Sequence, residues 1–272
     1  MTDARPLRVL SLNIWNRQGP SDERYALIRR GIEALEPDVV GMQEVLSDGS
    51  YDLATEIAGR LGYAVVFGTA KALGGPYAFG NAVLSRLPMR ERALVPLPDA
   101  GTEERRSLLA VDVDTPWGPL PFLTTHLAWR FHHGFVREQQ VVALATWIKD
   151  ELPIRDDTLP PVLTGDFNAC PEATEIRFLK GLHAIDGQST FLADCFGEVG
   201  AGPGYTFDAS RNPYAAYTHE APRRIDYVFV RGPDKLGRGK PVTCRVVLDE
   251  MVDGVAASDH FGIYAEIDMT RR

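Results

Sequence analysis

Asp166 and Asn168 stand two apart in GDFN, so any extended segment carries both on one side. A carboxylate there can take a proton from water, and the amide can hold that water or a phosphate oxygen. Asp and Asn are also common turn residues, and an Asx turn accounts for the same pair. SDH adds Asp259 and His260 side by side. The carboxylate can bind a hard cation through oxygen, and the imidazole can donate to an anionic oxygen. Glu44 closes the apolar run VVGMQE, where a bare carboxylate is costly unless it is paired, metal-bound or at a solvent-facing rim. Asn13 ends LRVLSLN, His126 ends LPFLTTH, and Asp226 starts a strand in RRIDY.

Carboxylates with an amide oxygen, and no Cys/His zinc spacing, suit Mg²⁺ or Mn²⁺ rather than Zn²⁺. HLAWRFHH contributes His132 and His133 in a loop, where solvated or substrate-facing imidazoles are expected. Cys170 lies near Asp166, but no base is tied to it and a small packed residue explains it.

These groups recur at the ends of strand-sized apolar runs from residue 13 to residue 260. Strand ends hold side chains rigidly while loops leave room for a ligand, so the series predicts convergence on one pocket. Residues 7–13, DVVGMQE, AVVFG, NAVLS, LLAVDVD, PLPFLTTH and PVLTGDFN read as strands. KALGGPYAFG, PLPDAG and TPWG read as the turns between them. Tyr25, Ile28, Ile32 and Leu35 share a helical face that Pro37 stops, with a start at Ser21, Asp22 and Glu23. YDLATEIAGRLG, Val136 to Lys149 and CPEATEIRFLKG are further helices. Asp186 to Arg223 reads as loop apart from GYTFD, and IDYVFVRG, VTCRVVLDE and FGIYAEIDM close the chain as strands. No linker or low-complexity stretch divides residues 1–272, so one α/β domain with helix-covered sheets is expected.

With 272 residues and 44% apolar content the chain can bury a large core. Its apolar stretches are too short to span a bilayer, and the N-terminal residues lack the apolar centre of a signal peptide. Three widely spaced cysteines predict reduced thiols and a cytoplasmic location. The net charge of −8 and the absence of a long Lys/Arg stripe disfavour a large nucleic-acid footprint.

The ordered set NIW, QE, GNAVLS, TTHL, GDFN, RRIDY and SDH resembles the endonuclease/exonuclease/phosphatase superfamily of metal-dependent phosphohydrolases, over about residues 7 to 267. The resemblance implies a DNase I-like four-layer α/β sandwich, two packed mixed β-sheets flanked by helices. It implies a divalent cation, Mg²⁺ or Mn²⁺, at Asn13, Glu44 and Asp259, with Glu44 as direct ligand. Asp166 and Asn168 match the pair that activates or orients water, and His126 the histidine that hydrogen-bonds the scissile phosphate. His260, held by Asp226, matches the imidazole that stabilises the transition state. Arg106 looks like the phosphate-contacting arginine, and Asn81 lines the same side.

Substrates vary widely within this superfamily. NIW and HLAWRFHH look like the sphingomyelinase-like branch, GDFNACPE resembles the deadenylase and nocturnin pattern, and the inositol-phosphatase signature is missing. The expectation is a monomeric phosphodiesterase for a small or lipid-derived diester, with a nuclease or DNA-repair enzyme as the alternative. A non-catalytic scaffold is disfavoured because each active-site residue type is present.

Overall fold

The computed structural model describes residues 5–216 and 220–271; residues 1–4, where the leader expectation partly falls, lie outside this range. The first half contains β1 (Leu7–Asn13), α1 (Ser21–Leu35), β2 (Val39–Ser47), α2 (Leu53–Ala58), β3 (Ala64–Gly74) and β4 (Tyr77–Ser85). Next come β5 (Met89–Leu97), β6 (Arg106–Thr115), β7 (Gly118–His126), a 3-10 turn (Phe131–His133) and α3 (Gly134–Glu151). The remainder is β8 (Val162–Asp166), α4 (Thr174–Leu179), β9 (Ala193–Asp194), α5 (Cys195–Val199), β10 (Asp226–Val230), β11 (Lys240–Val247) and β12 (Gly262–Asp268).

Two six-stranded mixed sheets form, ordered β11-β12-β1-β2-β4-β3 and β5-β6-β7-β8-β10-β9. An apolar layer joins them, with Val9, Val39 and Val83 facing Val111, Phe122 and Val228. Ile28, Ile32 and Ile57 of α1 and α2 cover the outside of the first sheet against Leu10, Val40 and Leu84. Val141, Leu144 and Ile176 of α3 and α4 cover the second against Leu123, Leu163 and Phe229. The result is the expected four-layer sandwich.

The two-residue period of the strands explains how the inner face becomes a site. In β1 the outward Leu10 and Leu12 alternate with Val9, Ser11 and Asn13. β7 reads Phe122, Thr124, His126 on its inner face, β8 reads Val162, Thr164, Asp166, and β10 reads Val230, Val228, Asp226. Moving along each strand, the inter-sheet layer therefore passes from aliphatic to hydroxyl-bearing to ionisable side chains. Gln43 bridges the middle zone by donating to Thr124 Oγ1 at 2.9 Å. β1–β2 and β7–β8 are parallel pairs, while β10 and β12 run against their neighbours. The C-terminal ends of the first group thus meet the N-terminal ends of the second.

Several elements differ from expectation. KALGGPYAFG is mostly strand, because β3 and β4 extend into a long hairpin that turns at Gly75 and Pro76. β5 is an additional edge strand whose alternation is masked by charges and a proline. α2 ends at Gly59 rather than Gly62, and its cap is Asp52, which accepts from Thr55 N–H. The glycine of GDFN, which as a flexible residue beside Asp166 suggests a tight turn after the strand, instead lies within β8 as Gly165, where a Cβ would come within 2.3 Å of the Thr125 carbonyl.

Gly41 shows how closely the sheets approach: a Cβ there would lie 2.1 Å from Thr164 Oγ1 and 2.9 Å from Thr124 Oγ1. Gly41→Ala should therefore cost about 1–3 kcal/mol by overpacking, read as a lower urea midpoint. An unchanged midpoint would mean the sheets separate freely at this layer.

Candidate active site

His126, Asp166 and Asp226 occupy one row across three adjacent strands. His126 pairs in register with Asp166 on the parallel β7–β8 ladder, and Asp166 with Asp226 on the antiparallel β8–β10 ladder. All three side chains lie on the inner face and are buried. His126 Nε2 sits 3.4 Å from Asp166 Oδ2. Opposed carboxylates repel, and the imidazole of His260 enters between them from the turn before β12. Its Nδ1 lies 2.9 Å from Asp226 Oδ2 and its Nε2 lies 3.7 Å from Asp166 Oδ2.

On the first sheet, a register shift between Met42 and Val45 interrupts the β2–β4 ladder. Glu44 sits in that bulge with φ of 60°. Such bulges re-aim a side chain, and this one brings the carboxylate to the cavity. Asn13 Nδ2 donates to Glu44 Oε1 at 3.3 Å and to Asp166 Oδ2 at 3.1 Å, joining the two sheets. Its Oδ1 accepts the Trp15 N–H at 3.0 Å. Asn16 Nδ2 holds the other Glu44 oxygen at 2.8 Å.

A cavity of about 700 Å³ opens above these groups, and Glu44, Arg106, His126, Asp166, Asn168, Asp259 and His260 all reach its wall. Three expected residues stand behind the wall. Asn13 bridges the sheets as described, Asp226 backs His260, and Asn81 is buried with its amide donating to the Ser107 carbonyl at 3.1 Å. Asn81 thus secures β6 beside Arg106. Arg106 Nη2 donates to Glu104 at 2.8 Å, while its buried Nε has no acceptor. Asn168, at φ 50°, turns its backbone N–H onto Asp166 Oδ1 at 2.9 Å and its side-chain amide onto the Leu127 carbonyl at 3.2 Å. His133 is buried 3.7 Å from Glu104, and His132 packs edge-on against it.

The two histidines are driven in opposite directions. Burial, then Arg106 and His260, hold His126 well below its usual range, so it is neutral. Burial also works against a charged His260, but Asp226 and Asp166 outweigh it and lift the imidazole well above its usual range. Asp166 is pushed up to about 6, by burial first and then by Asp226. Burial first, with Glu44 and Asp166 adding, raises Asp259 to about 7 against the pull of His260. Titratable groups with values forced apart in one cleft are the pattern of acid–base catalysis.

Ligand atoms of Asp166, Asp226 and His260 lie within 4.8 Å of one another, close enough for a cation. A protonated imidazole has no lone pair to offer, however, and the compactness of this group follows from ion pairing. Glu44 and Asp259 offer the better cation set. They are hard oxygen donors crowding one cavity, and Asp259 is pushed up partly by Glu44.

Sequence reasoning missed the residues that hold the loops. Arg24 of α1 is completely buried, and its guanidinium donates to five carbonyls: Gln18, Ile14, Ala257, Trp15 and Asn16, at 2.7–3.2 Å. Arg137 of α3 similarly holds the Ala128 and Arg130 carbonyls and ion-pairs with Glu175 at 2.6 Å. The visible signal was slight. Arg24 abuts the apolar stripe beginning at Tyr25, where a charge must find internal partners.

The family model for the endonuclease/exonuclease/phosphatase family matches residues 10–260. No match was found among curated proteins. Among solved structures, an endonuclease/exonuclease/phosphatase from Beutenbergia cavernae is 26% identical with a TM-score of 0.71, covering 97% of this chain and 72% of its own. TDP2 of D. rerio, complexed with single-strand DNA product, is 22% identical with a TM-score of 0.73 and covers 97% and 99%. The human Nocturnin catalytic domain with bound sulfate is 19% identical with a TM-score of 0.67 and covers 98% and 94%. The last two likenesses are of fold.

The raised His260 value makes the fold pH-sensitive. The charged imidazole stabilises the protein fully below about pH 6.5, and that contribution is lost as pH rises through the folded value. In EDTA, wild-type stability should fall on raising the pH above neutrality, and His260→Gln should flatten that fall in urea titrations. Parallel pH profiles would refute the ion-pair assignment. Arg24→Met should lower stability by at least about 2 kcal/mol, since it strands buried carbonyls; an unchanged urea midpoint would show that the loop holds without it.

Proposed function

The chain belongs to the endonuclease/exonuclease/phosphatase family, whose members are divalent-metal-dependent phosphoric ester hydrolases, and from that premise we propose that it cleaves phosphodiesters by in-line attack of water. The observation that supports this best is Asp166, which lies within 3.4 Å of the neutral His126 and 3.7 Å of the charged His260, facing Glu44 and Asp259 across the cavity.

Asp166, raised to about 6, accepts the proton of the attacking water. Asn168 N–H and the Asn13 amide fix the carboxylate's two oxygens, so the base holds one orientation. The Asn168 side chain on the cavity wall orients the water. His260 keeps its Nδ1 on Asp226 and directs an Nε2 proton at the phosphoryl oxygens, with Asp226 as a positioning residue. His126 donates from Nε2, and Arg106 adds a permanent charge beside it. Asn81 sets the position of Arg106 through the Ser107 carbonyl. Glu44 and Asp259 would hold the cation, Mg²⁺ or Mn²⁺, and Asn13 and Asn16 would aim Glu44 at it. When bound, the cation supplies Lewis-acid stabilisation of the charge developing on phosphorus oxygens.

The rim favours a small or lipid-derived diester. Trp129 and Phe131 stand 54% and 66% exposed at the mouth, with Leu73 beside them and Lys71, Arg130 and Arg223 interspersed. Apolar side chains among cations suit a substrate presented at an anionic lipid surface. The alternative is a single-stranded nucleic-acid end, because cations stacked on rings also track a polynucleotide. Arg130 lies 4.9 Å from Trp129, and Arg223 lies 5.0 Å from Phe131. The DNA-bound TDP2 structure gives that reading a precedent of fold. Among the described residues no helix is long and apolar enough to cross a membrane. Three free cysteines, two of them buried, fit a reducing compartment such as the cytoplasm.

Hydrolysis of bis-p-nitrophenyl phosphate should vanish in EDTA and return with Mg²⁺ or Mn²⁺. Asp166→Asn should lower kcat by about 10²–10⁴, and His260→Ala by about 10²–10³, with circular dichroism unchanged. Full activity in either folded variant would remove the mechanism. Turnover of a lysophospholipid diester in mixed micelles, faster than of a single-stranded oligonucleotide or a supercoiled plasmid, supports the lead substrate class; the reverse order selects the nuclease.

A further inference from the structure

At the ends of β8 and β10 opposite to Asp166 and Asp226, a second cavity of about 1020 Å³ opens between α3, the loop before β8 and the loop after β10. Ile148, Leu159, Phe178 and Phe191 line its apolar body. Into the same cavity comes Arg231, half-buried at the end of β10. Its hydrogen bond goes to the Ile148 carbonyl at a long 3.4 Å. None of the ion pairs among the described residues involves it, and burial lowers its affinity for its proton with no acid countering. The acid in the cavity wall, Asp234, is already engaged. It pairs with Arg238 and accepts the Leu236 and Arg238 N–H groups. Lys149 and Lys235 add positive charge at the wall, although Lys235 also reaches Asp156 at 2.9 Å.

A cation withdrawn from water without a counter-ion costs free energy, and this one faces an apolar space large enough for a small molecule. In a chain of net charge −8 it is a local exception. We propose that this cavity binds an amphipathic anion, with a carboxylate or phosphate head on Arg231 and an aliphatic body against Phe178 and Phe191. The site shares no residue with the catalytic cavity and stands whether or not the proposed hydrolysis does.

Calorimetric titration with octanoate, octyl phosphate and octanol, below their micellar concentrations, tests it. At least one anion should bind saturably at one equivalent and raise the melting temperature, and the tighter of the two identifies the head group. Arg231→Gln should weaken that binding about tenfold or more, as loss of a charge-assisted bond requires. Thr146→Trp, which fills the mouth from an exposed position on α3, should abolish it, and hydrolysis of bis-p-nitrophenyl phosphate should be unchanged in both variants. Absence of saturable binding overturns the proposal. So does anion binding that neither variant weakens, or octanol binding as tightly as the anions.

Discussion

Asp166 and Asp226 face each other directly on neighbouring antiparallel strands, an arrangement that opposes sheet formation unless a positive charge enters the row. The imidazole of His260 supplies it. Residue 260 reaches that place because β12 pairs antiparallel with β1, so the turn before β12 lies beside the C-terminal end of β1. Ser258 secures the turn by donating to the Asn13 carbonyl at 2.7 Å. The row is thus completed by a residue from the other sheet. The sandwich and the site are one assembly: neither sheet can shift along the other without breaking the contacts from His260 and Asn13 to Asp166.

Backbone strain gathers around this row. Trp15, Asn16, Glu44 and Asn168 all have φ between 32° and 60°, where residues with a Cβ are uncommon. Strain of that kind persists only where the surroundings over-determine it. Here Arg24 does so for residues 14–18, since four of its five donors meet carbonyls of that segment and the fifth ties it to the Ala257 carbonyl. Arg137 restrains the loop after β7 in the same way. Arg224 completes the set with a bidentate pair to Asp194, at 2.8 and 2.9 Å, which anchors the residues leading into β10. Three segments bordering the cavity are thus each fixed by a buried arginine.

Much of this was legible because strands repeat every two residues. Val9-Ser11-Asn13 and Phe122-Thr124-His126 display the inner face directly, and the runs that carry Glu44, Asp166 and Asp226 announce their ends. What escaped had no period to show it. β5 carries three charges and a proline in nine residues because, as an edge strand, it faces solvent. The β3–β4 hairpin was hidden by its glycines, of which Gly80 is required by the carbonyl of Gly68, 2.0 Å from where a Cβ would lie. Arg24 acts through backbone carbonyls, and Asn16 aims its amide at Glu44 from a φ of 32°; both depend on strained backbone that no side-chain pattern encodes. Asn81 was expected among the phosphate-side residues. Its burial behind Arg106 follows from the approach of β4 to β6, a contact between sheets that spacing within one strand cannot reveal.

The remaining electrostatic imbalance separates the tasks of the two sheets. On the second sheet, Asp226 and Asp166 share the charge of His260, so that side carries its own counter-ion and a proton can pass between His260 and Asp166 without changing its net charge. On the other side of the cavity, Glu44 is met by the amides of Asn13 and Asn16, which are neutral. Asp259 next to it rises to about 7 by burial, with Glu44 adding to the pull of the proton. Arg24 is positive, but it lies beneath the loop with every donor spent on carbonyls. Asp259, buried and pushed up beside Glu44, is relieved by a proton or by a cation, and a proton there would deprive a phosphoryl group of the positive charge it needs as it is attacked. In the proposed reaction the cation therefore belongs with Glu44 and Asp259, and the proton with Asp166 and His260. A phosphoryl group lying between the sheets would meet both at once.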